Sequence, residues 1–334
     1  MATRDRVRVT TLSEFLSMDY SSFVYEQKNN NMDFVRKHFS KFISPVVPLV
    51  AIALYLAFTK PICLGIRKLF GQAEKESTDT WKANLKLFAF VHSVALAVYS
   101  GWTFYNTFDI VMSATAEIQA NPANAGITWF AAFMQANCDV SGHVWDKLDL
   151  GAWVFHFYLS KYYEFIDTAI VYLKGEKPIF LQTFHHAGVL IIMWSFVSSQ
   201  NNAMGVCFTV LNSFIHTILY TYYALSAVGI KLTVIKPLIT SLQLAQFITG
   251  IAYSTPSYFM DTCHTEATWW TQLYANVYTV ILVILFAQFS LKNYFQPSKQ
   301  LGRELSTSFN QSSDSLDDAS TLAKPKSGGG KKTN

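Results

Sequence analysis

Lys161-Tyr-Tyr-Glu164-Phe-Ile-Asp167-Thr168, followed soon after by Gln182-Thr-Phe-His185-His186, is the stretch whose reading decides the fold. Charged and imidazole side chains here interrupt runs that are otherwise as apolar as a bilayer. Ionisable groups in a spanning helix are costly and face a bundle interior or a cavity, so they mark a functional site. On a helix, Lys161, Glu164 and Thr168 share one face with Asp167 beside it. Gln182, His185 and His186 recur at i, i+3 and i+4 and do the same. Two such faces close together imply one polar chamber.

The rest of the chain supports a membrane setting. Of 334 residues, 51% are hydrophobic and only 14% charged, against roughly 25% charged in soluble domains. A bilayer core takes about 20 apolar residues per helix, a length this sequence offers repeatedly. The expected fold is therefore all-α: a polytopic membrane protein with seven transmembrane helices. Spans are expected near 45–66, 86–108, 149–173, 179–199, 204–228, 232–253 and 269–291, with 109–148 as a long connection. Residues 1–43 read as an N-terminal surface or interfacial segment, 44–292 as the membrane domain, and 293–334 as a disordered tail rich in Ser, Gly and Lys. A net charge of +4 spread among loops gives nucleic-acid binding little support.

Lys and Arg favour cytoplasmic loops. Loops 1–2, 3–4, 5–6 and the tail are the basic ones, which puts the C-terminus in the cytosol. Glu164, Asp167, His216, Tyr220 and Tyr222 then lie in the cytosolic halves of spans three and five. Gln182, His185, His186, Thr240 and Gln243 lie in those of spans four and six. Cys138 and Cys263 fall on the opposite side, where an oxidising lumen permits a disulfide and two free thiols are the other reading. Lys331 and Lys332, close to the C-terminus, resemble a dilysine retrieval signal of the endoplasmic reticulum.

A histidine pair in a membrane helix raises a metal reading. Membrane di-iron enzymes share the Gln-x-x-His-His box, but they collect many histidines in several boxes. This chain has eight in all and no second paired box, so no metal is expected. His92 reads as a packing histidine, and His156 as packing or as part of the chamber wall. Acyl transfer fits better. A neutral imidazole attacks an activated carbonyl, and the fragile acyl derivative needs a chamber that excludes water. Glu164 and Asp167 would orient or stabilise the imidazoles. An oxyanion would be met by side chains, with Asn212, His216, Tyr220 and Gln243 as donors.

Here the sequence resembles the ELO-type fatty-acid elongase family of the endoplasmic reticulum. The family pattern Lys-x-x-Glu-x-x-Asp-Thr is met by Lys161, Glu164, Asp167 and Thr168. Asn-x-x-x-His-x-x-x-Tyr-x-Tyr is met by Asn212, His216, Tyr220 and Tyr222, and Thr-x-x-Gln-x-x-Gln by Thr240, Gln243 and Gln246. The family's lumenal cysteine pair is matched by Cys138 and Cys263. One departure stands out: Gln182 occupies the first position of the usual His-x-x-His-His box. Leu-Gln-x-Phe-His-His is similar to the box of algal elongases acting on Δ9 polyunsaturated chains.

The resemblance implies six helices ringing an acyl tunnel and a very-long-chain 3-oxoacyl-CoA synthase, an acyltransferase that uses long-chain acyl-CoA and malonyl-CoA without a cofactor. It implies His185 as nucleophile, His216 and Asn212 at the malonyl thioester, and Glu164, Asp167 and His186 as orienting groups. Lys161, Thr168, Gln182, Tyr220, Tyr222, Thr240, Gln243 and Gln246 would contact substrate. Gly250, Tyr253, Trp270 and Leu273 are candidates for the tunnel floor. Expected partners are membrane lipid and the 3-oxoacyl-CoA reductase, dehydratase and enoyl reductase of the elongation cycle; a homo-oligomer is left open. The competing readings are a non-catalytic acyl-CoA-binding protein and a transporter. Transporters show repeated halves and broken helices, and this sequence shows neither.

Overall fold

The computed structural model describes residues 40–72, 77–139, 141–230, 232, 234–260 and 263–295. The N-terminal segment to residue 39, the tail from 296 with Lys331 and Lys332, and Glu74, Lys75, Glu76, Lys231 and Asp261 lie outside them. Among the described residues every regular element is helical. The α-helices are α1 (Val46–Leu69), α2 (Asp79–Ala120), α3 (Trp129–Cys138), α4 (Leu150–Tyr163), α5 (Phe165–Leu173), α6 (Phe180–Ser199), α7 (Asn202–Ala227), α8 (Ile235–Ser254) and α9 (Glu266–Ser290). A second compact unit begins at Gln288; there α9 ends and Leu291–Phe295 forms a π turn.

Five stretches are long and apolar enough to cross a membrane: α1, α2, α6, α7 and Ala267–Tyr294. Outward side chains of α1 such as Leu49, Leu56 and Phe58 are more than half exposed, as lipid-facing residues would be. The chain is a multi-pass membrane protein. Two expected spans fall outside the five, for reasons tied to their polar residues. The third is divided at Glu164 into helices of 14 and 9 residues. The sixth, α8, has 20 residues but carries Thr240, Gln243 and Gln246.

Two boundaries differ from the sequence reading. The expected second span, 86–108, belongs to a helix of 42 residues, about 63 Å long at 1.5 Å per residue. It starts at a Thr78 cap whose hydroxyl accepts from the Trp81 N–H at 3.3 Å and runs on to Ala120. Val111, Ala114 and Thr115 are buried along its last turns, so much of the expected 109–148 connection is amphipathic helix. The remainder holds α3 and a π turn, His143–Lys147, capped by Asp139, whose carboxylate accepts from the Val144 and Trp145 N–H groups at 3.0 and 2.8 Å. The second difference is at the start of α1. Ile43 is buried at 1% exposure. The Phe42 and Ile43 carbonyls accept from the Tyr158 hydroxyl (2.9 Å) and the Trp194 indole (2.7 Å). The last residues of the expected surface segment are thus built into the bundle.

Side-chain contacts fix the directions of the helices. The α4–α5 pair runs parallel to α1, with Tyr55 beside Thr168 and Arg67 beside Leu173. It runs parallel to α7 and antiparallel to α2, where Trp81 meets Leu173 and Trp102 meets Trp153. Trp194 against Ile43 and Gln182 against Thr168 set α6 antiparallel to both α1 and α5. Phe247 against Phe286 and Ser254 against Asn276 pair α8 with α9 in opposite senses. One end of the bundle carries Arg67, Lys68, Lys82, Lys174, Lys177 and Lys236. The other carries Glu117, Asp139, Asp146 and Asp149. There a disulfide joins Cys138, the last residue of α3, to Cys263, with Cα atoms 4.8 Å apart.

Candidate functional site

The polar residues of α5, α6 and α7 meet in one buried layer, nearer the basic end. Asp167 lies six residues from the end of α5, about 9 Å along a helix. Lys161 and Glu164 are 1% and 2% exposed. Charges so deep persist only when paired. The Lys161 ammonium donates to Glu164 Oε1 at 2.6 Å and to Asn212 Oδ1 at 3.1 Å, and lies 3.8 Å from the centre of the Phe157 ring. Glu164 Oε1 also stands 3.5 Å from His216 Nδ1.

Asp167 is the second centre. Its Oδ2 accepts from the Tyr220 hydroxyl at 2.6 Å and lies 3.9 Å from His186 Nε2. Its Oδ1 meets His92 Nε2 of α2 at 2.7 Å. Thr168 turns away towards α1 and α6, where its hydroxyl meets Tyr55 (2.8 Å) and accepts from the Gln182 amide (3.3 Å). The Tyr55 ring stacks on Phe165 at 4.1 Å.

The break at Glu164 gives this layer its spacing. Glu164 stays in the right-handed helical region, and the Asp167 N–H bonds its carbonyl at 3.0 Å, an i to i+3 turn of 3₁₀ type. Partners on α7 come at every fourth residue, Asn212, His216 and Tyr220. On α4–α5 they come at every third, Lys161, Glu164 and Asp167. A 3₁₀ turn advances three residues by about 6 Å, the rise of four α-helical residues, so the second rungs stay level. The flexible Lys161 stem accommodates the first.

His185 stands apart from the other imidazoles of the layer. His92, His186 and His216 each have a carboxylate within ion-pair reach; among the described residues His185 has none. Like those of His92, His186 and His216, its Nδ1 is buried without a hydrogen-bond partner among the described residues, and its ring lies 5.7 Å from that of His186. Its backbone is held instead: the Tyr278 hydroxyl of α9 donates to the His185 carbonyl at 3.0 Å.

Some expected residues sit elsewhere. Thr240 is buried, with its hydroxyl on the Lys236 carbonyl at 3.2 Å. Gln243 and Gln246 are half-buried, and no hydrogen bond joins them to the residues above. Tyr222 is half-buried against Tyr223. His156 is half-buried, near Trp153. Three contributors escape the sequence reading: His92, there a packing histidine, and Tyr55 and Tyr278, which look like ordinary packing tyrosines. An imidazole in an apolar run was the available signal for His92; the tyrosines offered none. Among the described residues, no three His, Cys, Asp or Glu side chains are grouped as metal ligands.

A helical membrane protein with a buried layer of histidines, carboxylates and amides is the class these features define. The family model described as ELO: GNS1/SUR4 family matches residues 42–301, and the chain belongs to that family. Similar proteins include "Fatty acid elongase sre1" of Dictyostelium discoideum, 34% identical over 45% of this chain and 56% of its own length. "Fatty acid elongase 2" of Trypanosoma cruzi is 27% identical over 73% of this chain and 85% of its own length. "Very long chain fatty acid elongase 3" of Homo sapiens is 36% identical over 46% and 57%. The chain thus spans little more than half of the first and third of these relatives, and most of the second.

Proposed function

We propose that the protein is a fatty acid elongase that condenses malonyl-CoA with a long-chain acyl-CoA through an acyl-histidine at His185. The observation that carries this is the layer itself. Residues from α2, α4, α5, α6 and α7 converge there, and of its described imidazoles His185 alone has no carboxylate within ion-pair distance. Family membership supports fatty acid elongation as the activity.

In the proposed sequence, a ring nitrogen of His185 attacks the acyl thioester and CoA leaves as a thiol, taking up the proton that the imidazole gives up. Malonyl-CoA then loses CO2, and the resulting enolate attacks the acyl carbon. The bond to His185 breaks, the ring nitrogen takes up one proton, and a 3-oxoacyl-CoA two carbons longer is released. Acyl-CoA, malonyl-CoA and one proton thus give product, CoA and CO2. Asn212 and His216, joined to Lys161 and Glu164, are suited to the thioester oxygen of the enolate. Asp167 orients His186 and Tyr220. The neutral amide of Gln182, bonded to Thr168, serves in orientation and not in proton transfer.

The same reading takes α4–α5 and α8 as spans completing seven, six of them around an acyl tunnel. It places the basic end and the C-terminus in the cytosol and the disulfide in the endoplasmic reticulum lumen. Thr240, Gln243, Gln246 and Tyr222 would contact substrate, and a C18 polyunsaturated acyl chain is the substrate the Gln182 box suggests.

The test supplies purified protein with linoleoyl-CoA and radiolabelled malonyl-CoA. A labelled C20 3-oxoacyl-CoA, absent with His185→Ala, is the expected result. Product from saturated acyl-CoAs alone would remove the polyunsaturated preference. No product from any chain would overturn the enzyme reading in favour of an acyl-CoA-binding protein or a transporter, with Gln182 as the suspect residue.

A further inference from the structure

The backbone at His185 is engaged by a side chain from outside its own helix. Tyr278, 5% exposed on α9, donates its hydroxyl to the His185 carbonyl at 3.0 Å. Gly188 makes this approach feasible. A Cβ there would stand 2.7 Å from Cζ of Tyr278 and 2.8 Å from its hydroxyl, inside van der Waals contact. Phe184, one turn earlier, stacks on the Tyr278 ring with centroids 5.5 Å apart. The ring thus packs against both Phe184 and the bare backbone of Gly188, with its hydroxyl on the His185 carbonyl.

A glycine inside a helix costs about 1 kcal/mol relative to alanine, and here it creates a seat for one aromatic ring. The His185 imidazole has no carboxylate to orient it, so its direction depends on where its backbone is held. Displacing a reacting group by about 1 Å can cost a hundredfold in rate.

We infer that Tyr278, seated on Gly188, is a positioning residue for His185: it fixes the peptide from which the imidazole is presented to the acyl thioester. This rests on the proposed role of His185 as nucleophile. The contact should govern acylation and leave substrate binding alone.

The test mixes enzyme with acyl-CoA without malonyl-CoA and follows CoA release, comparing wild type, His185→Ala, Tyr278→Phe and Gly188→Ala. Tyr278→Phe removes one oxygen and keeps the ring. Its CoA burst is expected to be slowed about tenfold or more with full amplitude, with KM for malonyl-CoA unchanged in turnover assays. Misfolding would instead lower the amplitude and spare the rate constant. Gly188→Ala should slow the same step by displacing the ring. A Tyr278→Phe burst at the wild-type rate, or one reduced only in amplitude, would overturn the positioning role. A wild type with no His185-dependent burst would overturn the acyl-histidine reading, and this inference with it.

Discussion

His92 Nε2 and Asp167 Oδ1 meet at 2.7 Å, joining α2 to the layer through a residue 75 positions away in the chain. The other Asp167 oxygen serves Tyr220 and faces His186, so His92 sets the tilt of a carboxylate shared by three side chains. His92→Ala leaves one oxygen of the half-buried Asp167 carboxylate without its partner. A loss of about 1–3 kcal/mol in stability is expected, with turnover falling more than tenfold, as read from thermal unfolding in micelles and from 3-oxoacyl-CoA formation.

Lys161 and Glu164 form a buried pair at 2.6 Å. Removing one partner strands the other charge, at a cost of about 3–5 kcal/mol. Lys161→Met and Glu164→Gln should each destabilise the protein strongly. The double variant should recover much of the stability while staying inactive, because Asn212 and His216 lose the partners that orient them. A double-variant cycle on unfolding midpoints checks this; strictly additive losses would contradict it.

The disulfide joins residues 125 positions apart. Closing so long a loop stabilises a fold by about 2–5 kcal/mol, chiefly by restricting the unfolded chain. Replacing both cysteines with serine should lower the melting temperature clearly. Turnover at low temperature should stay near wild type, because the bond lies at the end of the bundle away from the histidine layer.

His264 follows that disulfide in the chain and is half-buried, with its ring 5.7 Å from that of Tyr258. Burial holds its pKa below the usual 6.5, partly offset by the Ser257 backbone. A histidine whose folded pKa is depressed is protonated more readily in the unfolded chain. Its contribution is therefore whole above about pH 6.5 and declines as pH falls from there towards the folded pKa. Unfolding midpoints should drop between pH 7 and pH 5, and His264→Phe should flatten that slope.

The sequence carried the polar layer because Lys161, Glu164, Asp167, His186, Asn212 and His216 are rare residue types in apolar helices, and their spacing survives without knowledge of partners. It did not carry the pairings. Nothing in the run around His92 points to Asp167, and Tyr278 resembles any core aromatic until Gly188 is seen beneath it. The extent of α2 was hidden for another reason. From Asp109 to Ala120, polar and apolar residues alternate at helical spacing, a pattern that lacks the hydrophobicity of a span and is easily read as a loop. Similarly, Gln243 and Gln246 stand out as amides in an apolar helix, but residue type alone does not give direction, and neither joins the hydrogen bonds of the layer.

The matched rungs of α4–α5 and α7 bear on how such a sequence can drift. Adding or removing one residue between Lys161 and Asp167 would turn everything beyond it by about 100°, so rungs would separate together and not one by one. Point changes can be absorbed singly there; a change of length cannot. Lineages of this protein should accumulate insertions and deletions in connections such as 121–128, while the 161–168 and 212–220 stretches keep a constant count even where their letters change.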